Sequence, residues 1–159
     1  MIVETCQDVL QTKAALSAIF SHFAETHRRV PVIAQVTIEV FGTMLNGTEI
    51  SAALTALAPF PIDVIGMNCG TGPRHMTDSI RYLCENAPLP VSVFPNAGLP
   101  SVVDGKMHYD ETPETFNAQV VHFARDFGVN IVGGCCGTTP AHLKLVVESM
   151  QGITPKERN

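Results

Sequence analysis

Short apolar runs alternate with helix-patterned stretches along this chain, and that alternation leaves few architectures open to it. The runs lie at residues 1–5, 31–38, 62–68, 89–94 and 129–133. They are continuous rather than alternating with polar residues, as expected of strands covered on both faces. Between them, residues 8 to about 26 place Val9, Leu10, Ala14, Leu16, Ile19, Phe20 and Phe23 near helical spacing. A second helix is expected over residues 48 to about 57, closed by Pro59 and Pro61. Pro73 opens a third that runs to about Asn86. Thr112 caps and Pro113 starts a fourth, which stops at Gly128. Thr139 and Pro140 start the last, which reaches about Met150. Residues 95–111 read as one long loop and residues 151–159 as a frayed tail. Five strand–helix units predict an α/β fold, a parallel sheet with helical crossovers. Part of a (β/α)8 barrel and a five-stranded flavodoxin-like sheet both fit the count. Each places its chemistry beyond the C-terminal ends of the strands.

Size and charge narrow the function. The 159 residues make one domain, and 45% hydrophobic content suffices for a core. Ten basic residues stand against fifteen acidic ones, and Arg28-Arg29 is the only adjacent basic pair. Nucleic acid calls for a clustered basic face, so it is not the expected partner. No run approaches the roughly 20 apolar residues of a membrane span. No basic segment followed by an apolar one marks a secretory leader. The chain reads as cytoplasmic, and its five cysteines as thiols or metal ligands rather than a disulfide framework.

Three of those cysteines stand where the fold would put chemistry. Cys69 ends the third apolar run, and Cys135 and Cys136 end the fifth inside Gly133-Gly134-Cys135-Cys136-Gly137. Thiols at strand ends can converge on one soft metal ion, leaving a fourth position for a substrate. Adjacent cysteines face one ion only where the backbone turns sharply, which the flanking glycines permit. Spacing alone leaves buried, inert cysteines and a vicinal disulfide as alternatives. Glu4, Thr5, Asp8, Gln35, Thr37, Asn68 and Asn96 also fall at strand ends. Of these, Asp8 reads as a helix cap and Asn96 by default as a turn former. Cys6 and Cys84 read as structural. His22, His27, His75, His108 and His122 read as surface residues, and His142 as a residue without a site role.

Gly-Gly-Cys-Cys-Gly-Thr-Thr-Pro at residues 133–140, with Gly66-Met67-Asn68-Cys69 upstream, resembles the homocysteine S-methyltransferase family. Val3 to Asp8, Gly42-Thr43-Met44-Leu45 and Pro95 to Pro100 are most similar to the homocysteine-binding modules of its cobalamin-dependent members. The resemblance covers residues 1–150. It implies a (β/α)8 barrel, of which this chain matches the last five strand–helix units. The family's glycine-rich first-strand motif has no counterpart here. The resemblance makes Cys69, Cys135 and Cys136 ligands of a zinc ion and sets Glu4 against the amino group of homocysteine. Asn96 falls in the segment lining that pocket. Thr138 opens a helix whose first N–H groups would suit the substrate carboxylate. The implied methyl donor is methylcobalamin, or a methylated pterin acting through it, on another domain or chain. The other expectation is a catalytically incomplete module that works only with the missing units. Its open strand edges would favour pairing or self-association.

Overall fold

The computed structural model describes residues 1–157. Strand β1 (Ile2–Cys6) is followed by helix α1 (Val9–Thr26), β2 (Ile33–Val36), α2 (Ile50–Leu57), β3 (Val64–Asn68), α3 (Pro73–Asn86) and β4 (Val91–Phe94). A hairpin of β5 (Pro100–Val103) and β6 (Lys106–Tyr109) comes next, then α4 (Pro113–His122), a π-helical turn (Phe123–Phe127), β7 (Ile131–Val132) and α5 (Pro140–Ser149). No helix among the described residues is long and apolar enough to cross a membrane.

The main sheet runs β1-β2-β3-β4-β7, and every pair in it is parallel. Within this sheet each strand lies beside the next in chain order, with the separate β5–β6 hairpin falling between β4 and β7, and there is no reversal. A flavodoxin-like sheet, ordered 2-1-3-4-5, reverses direction after its second strand. This one winds one way only, as consecutive staves of a barrel do. β1 and β7 stand at its two ends.

Register decides what each face carries. Ala34, Ile65 and Val91 align across β2, β3 and β4, as do Val36, Met67 and Val93. These residues share one buried cluster with Leu16 of α1, Leu57 of α2 and Ile80 and Leu83 of α3. Each large side chain buried this way stabilises the fold by about 2 kcal/mol. Gln35, Gly66 and Ser92 align on the opposite face. Gly66 has no side chain, so Gln35 Nε2 reaches over it to donate to Ser92 Oγ at 2.9 Å.

The expected long loop contains the hairpin β5–β6. Its turn is Asp104-Gly105, with φ values of 50° and 72°. Two left-handed residues in succession make the tight turn whose twist matches a hairpin, and Asp-Gly is among its favoured sequences. Residues 151–157 hold no regular element, yet Asn130 Nδ2 donates to the carbonyl of Lys156 at 2.8 Å.

Asp63 fastens the approach to the sheet. Its Oδ2 accepts from Val32 N at 2.7 Å, and Arg29 Nη2 meets its Oδ1 at 2.9 Å. The Val32 N–H first, then Arg29, hold the carboxyl below the usual carboxylate range. A group with a lowered folded-state pKa stabilises above its unfolded pKa and loses that contribution as the pH falls. Solvent screening at this partly exposed site keeps the effect to about 1 kcal/mol. Asp63→Asn is therefore expected to lower stability at pH 7 by that amount and to flatten the loss below about pH 4. Urea titrations of both proteins from pH 7 to pH 2 measure it; identical curves would refute the assignment.

Candidate metal centre

Two chain reversals build the site. The first follows β3. Cys69 N donates to Phe94 O at 3.1 Å, extending the ladder by one residue. Cys69 then takes φ 58°, a left-handed conformation uncommon for a residue with a Cβ. The reversal lifts its thiol off the sheet.

The second reversal follows β7 and is strapped to the segment after β4. Cys135 N donates to Pro95 O at 2.7 Å, Cys136 N to Asn96 Oδ1 at 3.0 Å, and Ala97 N to Cys136 O at 2.9 Å. Thr138 Oγ1 closes the turn by donating to Cys135 O at 2.6 Å. Of the surrounding glycines only Gly137 uses a left-handed backbone, at φ 79°. Gly133 and Gly134 serve by their small size. A Cβ at Gly133 would stand 2.8 Å from the Phe94 ring, and one at Gly134 2.6 Å from Thr138 Cγ2.

The result is a cluster of three sulfurs. Cys69 Sγ lies 3.8 Å from Cys136 Sγ, and Cys135 Sγ lies 3.9 Å from Cys136 Sγ. All three fall within 4.8 Å of one another. None of the five cysteines is in a disulfide, so Cys135 and Cys136 are not joined as a vicinal pair. Three sulfurs bonded tetrahedrally at about 2.3 Å to one zinc ion would sit about 3.8 Å apart. The observed spacing therefore fits such an ion with little movement. Charge points the same way. Burial and the neighbouring Cys69 push the Cys135 thiol up to about 12. A divalent cation bound there would favour the ionised form of that thiol.

The other expected site residues fall around this cluster. Glu4 is exposed at the sheet end, and its Oε2 lies 3.5 Å from Asn68 Nδ2. Asn96 is buried, with its side chain engaged by Cys136 N. The Thr138 hydroxyl is committed to the turn. Thr138 N donates to Cys135 O at 3.2 Å and Thr139 N to His142 Nδ1 at 3.2 Å, so both donors are used within the turn. Asp8 caps α1 through Gln11 N at 3.0 Å. His142 is buried, bonded to Thr139 and to the carbonyl of Glu111, and plays a structural part. Cys6 and Cys84 are buried away from the cluster.

Two neighbours carry roles that sequence reasoning did not assign. Tyr109, at the end of the hairpin, lies against Gly137 and within hydrogen-bonding reach of Cys136. Burial first, then the Cys136 thiol, push its phenol above the usual range. Asn68 is fully buried and sends its amide toward Glu4, Thr5 and Cys135. Its place at a strand end beside Cys69 was the available signal.

Comparison with known proteins adds a lineage. A family model described as homocysteine S-methyltransferase matches residues 1–150. Methionine synthase of Mycobacterium tuberculosis (strain ATCC 25618 / H37Rv) is 46% identical over 158 residues, which is 99% of this chain and 13% of that protein. Methionine synthase of Mycobacterium leprae (strain TN) is 45% identical over 150 residues, 94% of this chain and 12% of that protein. The chain thus spans only about an eighth of the curated relatives it matches. The solved apo form of the homocysteine methyltransferase MmuM from Escherichia coli superposes with a TM-score of 0.68 at 21% identity, covering 93% of this chain and 48% of that one. Its metallated form gives 0.68 at 21%, covering 91% and 43%. Identity this low speaks to the fold alone, and the fold is part of the same barrel.

Proposed function

Because the chain belongs to the homocysteine S-methyltransferase family, we propose that it is the zinc-holding, homocysteine-binding part of a methionine-forming methyltransferase. The observation that carries this reading is the triangle of Cys69, Cys135 and Cys136 sulfurs at metal-sharing distance. Those three side chains would hold zinc. When bound, zinc supplies the positive charge that keeps an incoming thiol ionised at neutral pH, where a free thiol is mostly protonated.

The chain's own residues do the rest. Three thiolates surround the site with enough negative charge to leave a substrate sulfur nucleophilic. Asn96 holds the Cys136 N–H, and Thr138 holds the Cys135 carbonyl, so the vicinal pair keeps its turn. Exposed Glu4 offers a carboxylate to the ammonium group of homocysteine. Asn96 and Thr138 border the space its carboxylate end would enter. The homocysteine thiolate would form the new sulfur–carbon bond to the methyl group while the donor keeps the electron pair of the bond that breaks, and homocysteine becomes methionine. The donor is methylcobalamin, or a methylated pterin through it, on another domain or chain.

A second reading rests on extent. The chain covers under half of the solved barrels it resembles. Among the described residues, β1 and β7 each have a sheet neighbour on one side only. On this reading the cluster holds metal, and substrate binds only when further strand–helix units, or a second copy, cover those edges.

Metal and sulfur separate the two. The chain is purified without chelator, zinc per chain is measured, and homocysteine is titrated while X-ray absorption follows sulfur around the metal. One zinc with a fourth sulfur on addition supports the first reading. One zinc with no added sulfur supports the second. No zinc, with all three thiols freely reactive, removes both.

A further inference from the structure

Asn68 sits where three parts of the site meet. It is fully buried at the end of β3, directly before Cys69. Its Oδ1 accepts from Thr5 N at 2.7 Å, and its Nδ2 donates to Thr5 Oγ1 at 2.9 Å. An amide has two N–H groups. The second faces both Glu4 Oε2 at 3.5 Å and Cys135 Sγ at 3.9 Å. One side chain thus spans β1, β3 and the turn after β7.

The backbone it grips is unusual. Thr5 has φ 55°, an outlying conformation for a β-branched residue. The pairing of β1 with β2 slips between Val3 and Cys6. Such irregularities re-aim a side chain beside a site, and strained residues persist only where their surroundings fix them. Here the two bonds from Asn68 are the fixing contacts, and Glu4 is the residue re-aimed.

Resting on the functional reading above, we propose that Asn68 is a positioning residue that holds the Thr5 kink and thereby sets the Glu4 carboxylate at a fixed place relative to the Cys135 sulfur. It would match the span between the ammonium and thiol of one amino-thiol substrate. Asn68 acts through Glu4 and does not touch the reacting atoms.

The test compares homocysteine with 4-mercaptobutyrate, which keeps thiol and carboxylate and lacks the ammonium group. Binding to the zinc-loaded chain is measured by calorimetry for the wild type, Asn68→Ala, Glu4→Gln and the double variant. Asn68→Ala should weaken homocysteine binding about tenfold or more and change 4-mercaptobutyrate binding by less than about twofold. The double variant should be no weaker than Glu4→Gln alone, because both changes remove one interaction. Equal losses for both ligands, or additive losses, would overturn the proposal. If Asn68→Ala fails to hold zinc, Asn68→Ser, which leaves a hydroxyl for the Thr5 backbone, is read by the same pair of ligands. Loss of zinc by both variants also overturns it, since Asn68 would then support the metal loop as a whole. A wild-type chain that holds zinc and binds neither ligand refutes the first functional reading, on which this proposal rests, and this proposal with it.

Discussion

Replacing Cys136 with serine is expected to strip the chain of zinc, from one ion per chain to a small fraction of that against a competing chelator. Structural zinc is worth roughly 10–16 kcal/mol over four ligands, so one thiolate of three carries roughly 3 kcal/mol or more, on the order of a hundredfold in affinity. Cys136 is the informative choice because its residue is exposed, whereas those of Cys69 and Cys135 are half-buried. Its backbone, rather than its sulfur, makes the bonds that shape the turn. Serine should therefore leave folding intact, and far-UV circular dichroism checks that it does. Cys84→Ser, on α3 and outside the cluster, is the control and should keep full zinc. Metal analysis after gel filtration decides. Unchanged zinc in Cys136→Ser removes that sulfur from the ligand set, and an equal loss in Cys84→Ser shows that the method reads stability instead of ligation.

The alternation of elements was legible because each has a local cause. Pro73 and Asn86 bound α3 as expected, since proline at a helix start acts within one turn. Strand limits were less legible. The apolar runs begin earlier than the ladders do, because Val32 and Ile62 are buried outside β2 and β3. Apolarity reports burial, and pairing is a separate matter. β7 is only two residues long, and past Gly133, whose N–H still donates to Val93 O, the chain turns to carry the cysteines. The hairpin had a signal in Asp104-Gly105, masked by strands whose apolar side chains are exposed. Winding direction was beyond local pattern, since a barrel segment and a doubly wound sheet share the same alternation. At the site, the cysteines could be read from position and chemistry together. The reach of Asn68 across residues 63 and 67 positions away in sequence could not, because it depends on the kink at Thr5.

Gly66→Ala is expected to cost about 3 kcal/mol, near the upper end for an added methyl group in a packed interior. Gly66 pairs with Ser92 in register. A Cβ there would lie inside contact distance of both Ser92 Oγ and the Ser92 carbonyl oxygen. The hydroxyl can rotate away, but the carbonyl belongs to the ladder, so β3 and β4 must move apart. The same methyl group would block the path of Gln35 to Ser92. Gln35 Oε1 already has no partner, so losing the Nε2 bond would leave the amide unsatisfied on both atoms. The site should register the change as well. Cys69 follows Gly66 by three residues, and its N–H is bonded to Phe94, two residues past Ser92. Separation of the strands would shift Cys69 relative to Cys136, so zinc affinity should fall together with the urea midpoint. Adding Ser92→Ala tells the two clashes apart. It removes the hydroxyl and leaves the carbonyl, so it should restore only part of the loss. Full restoration would place the strain on the side chain alone, and an unchanged midpoint in Gly66→Ala would mean that the strands hold room which their register denies.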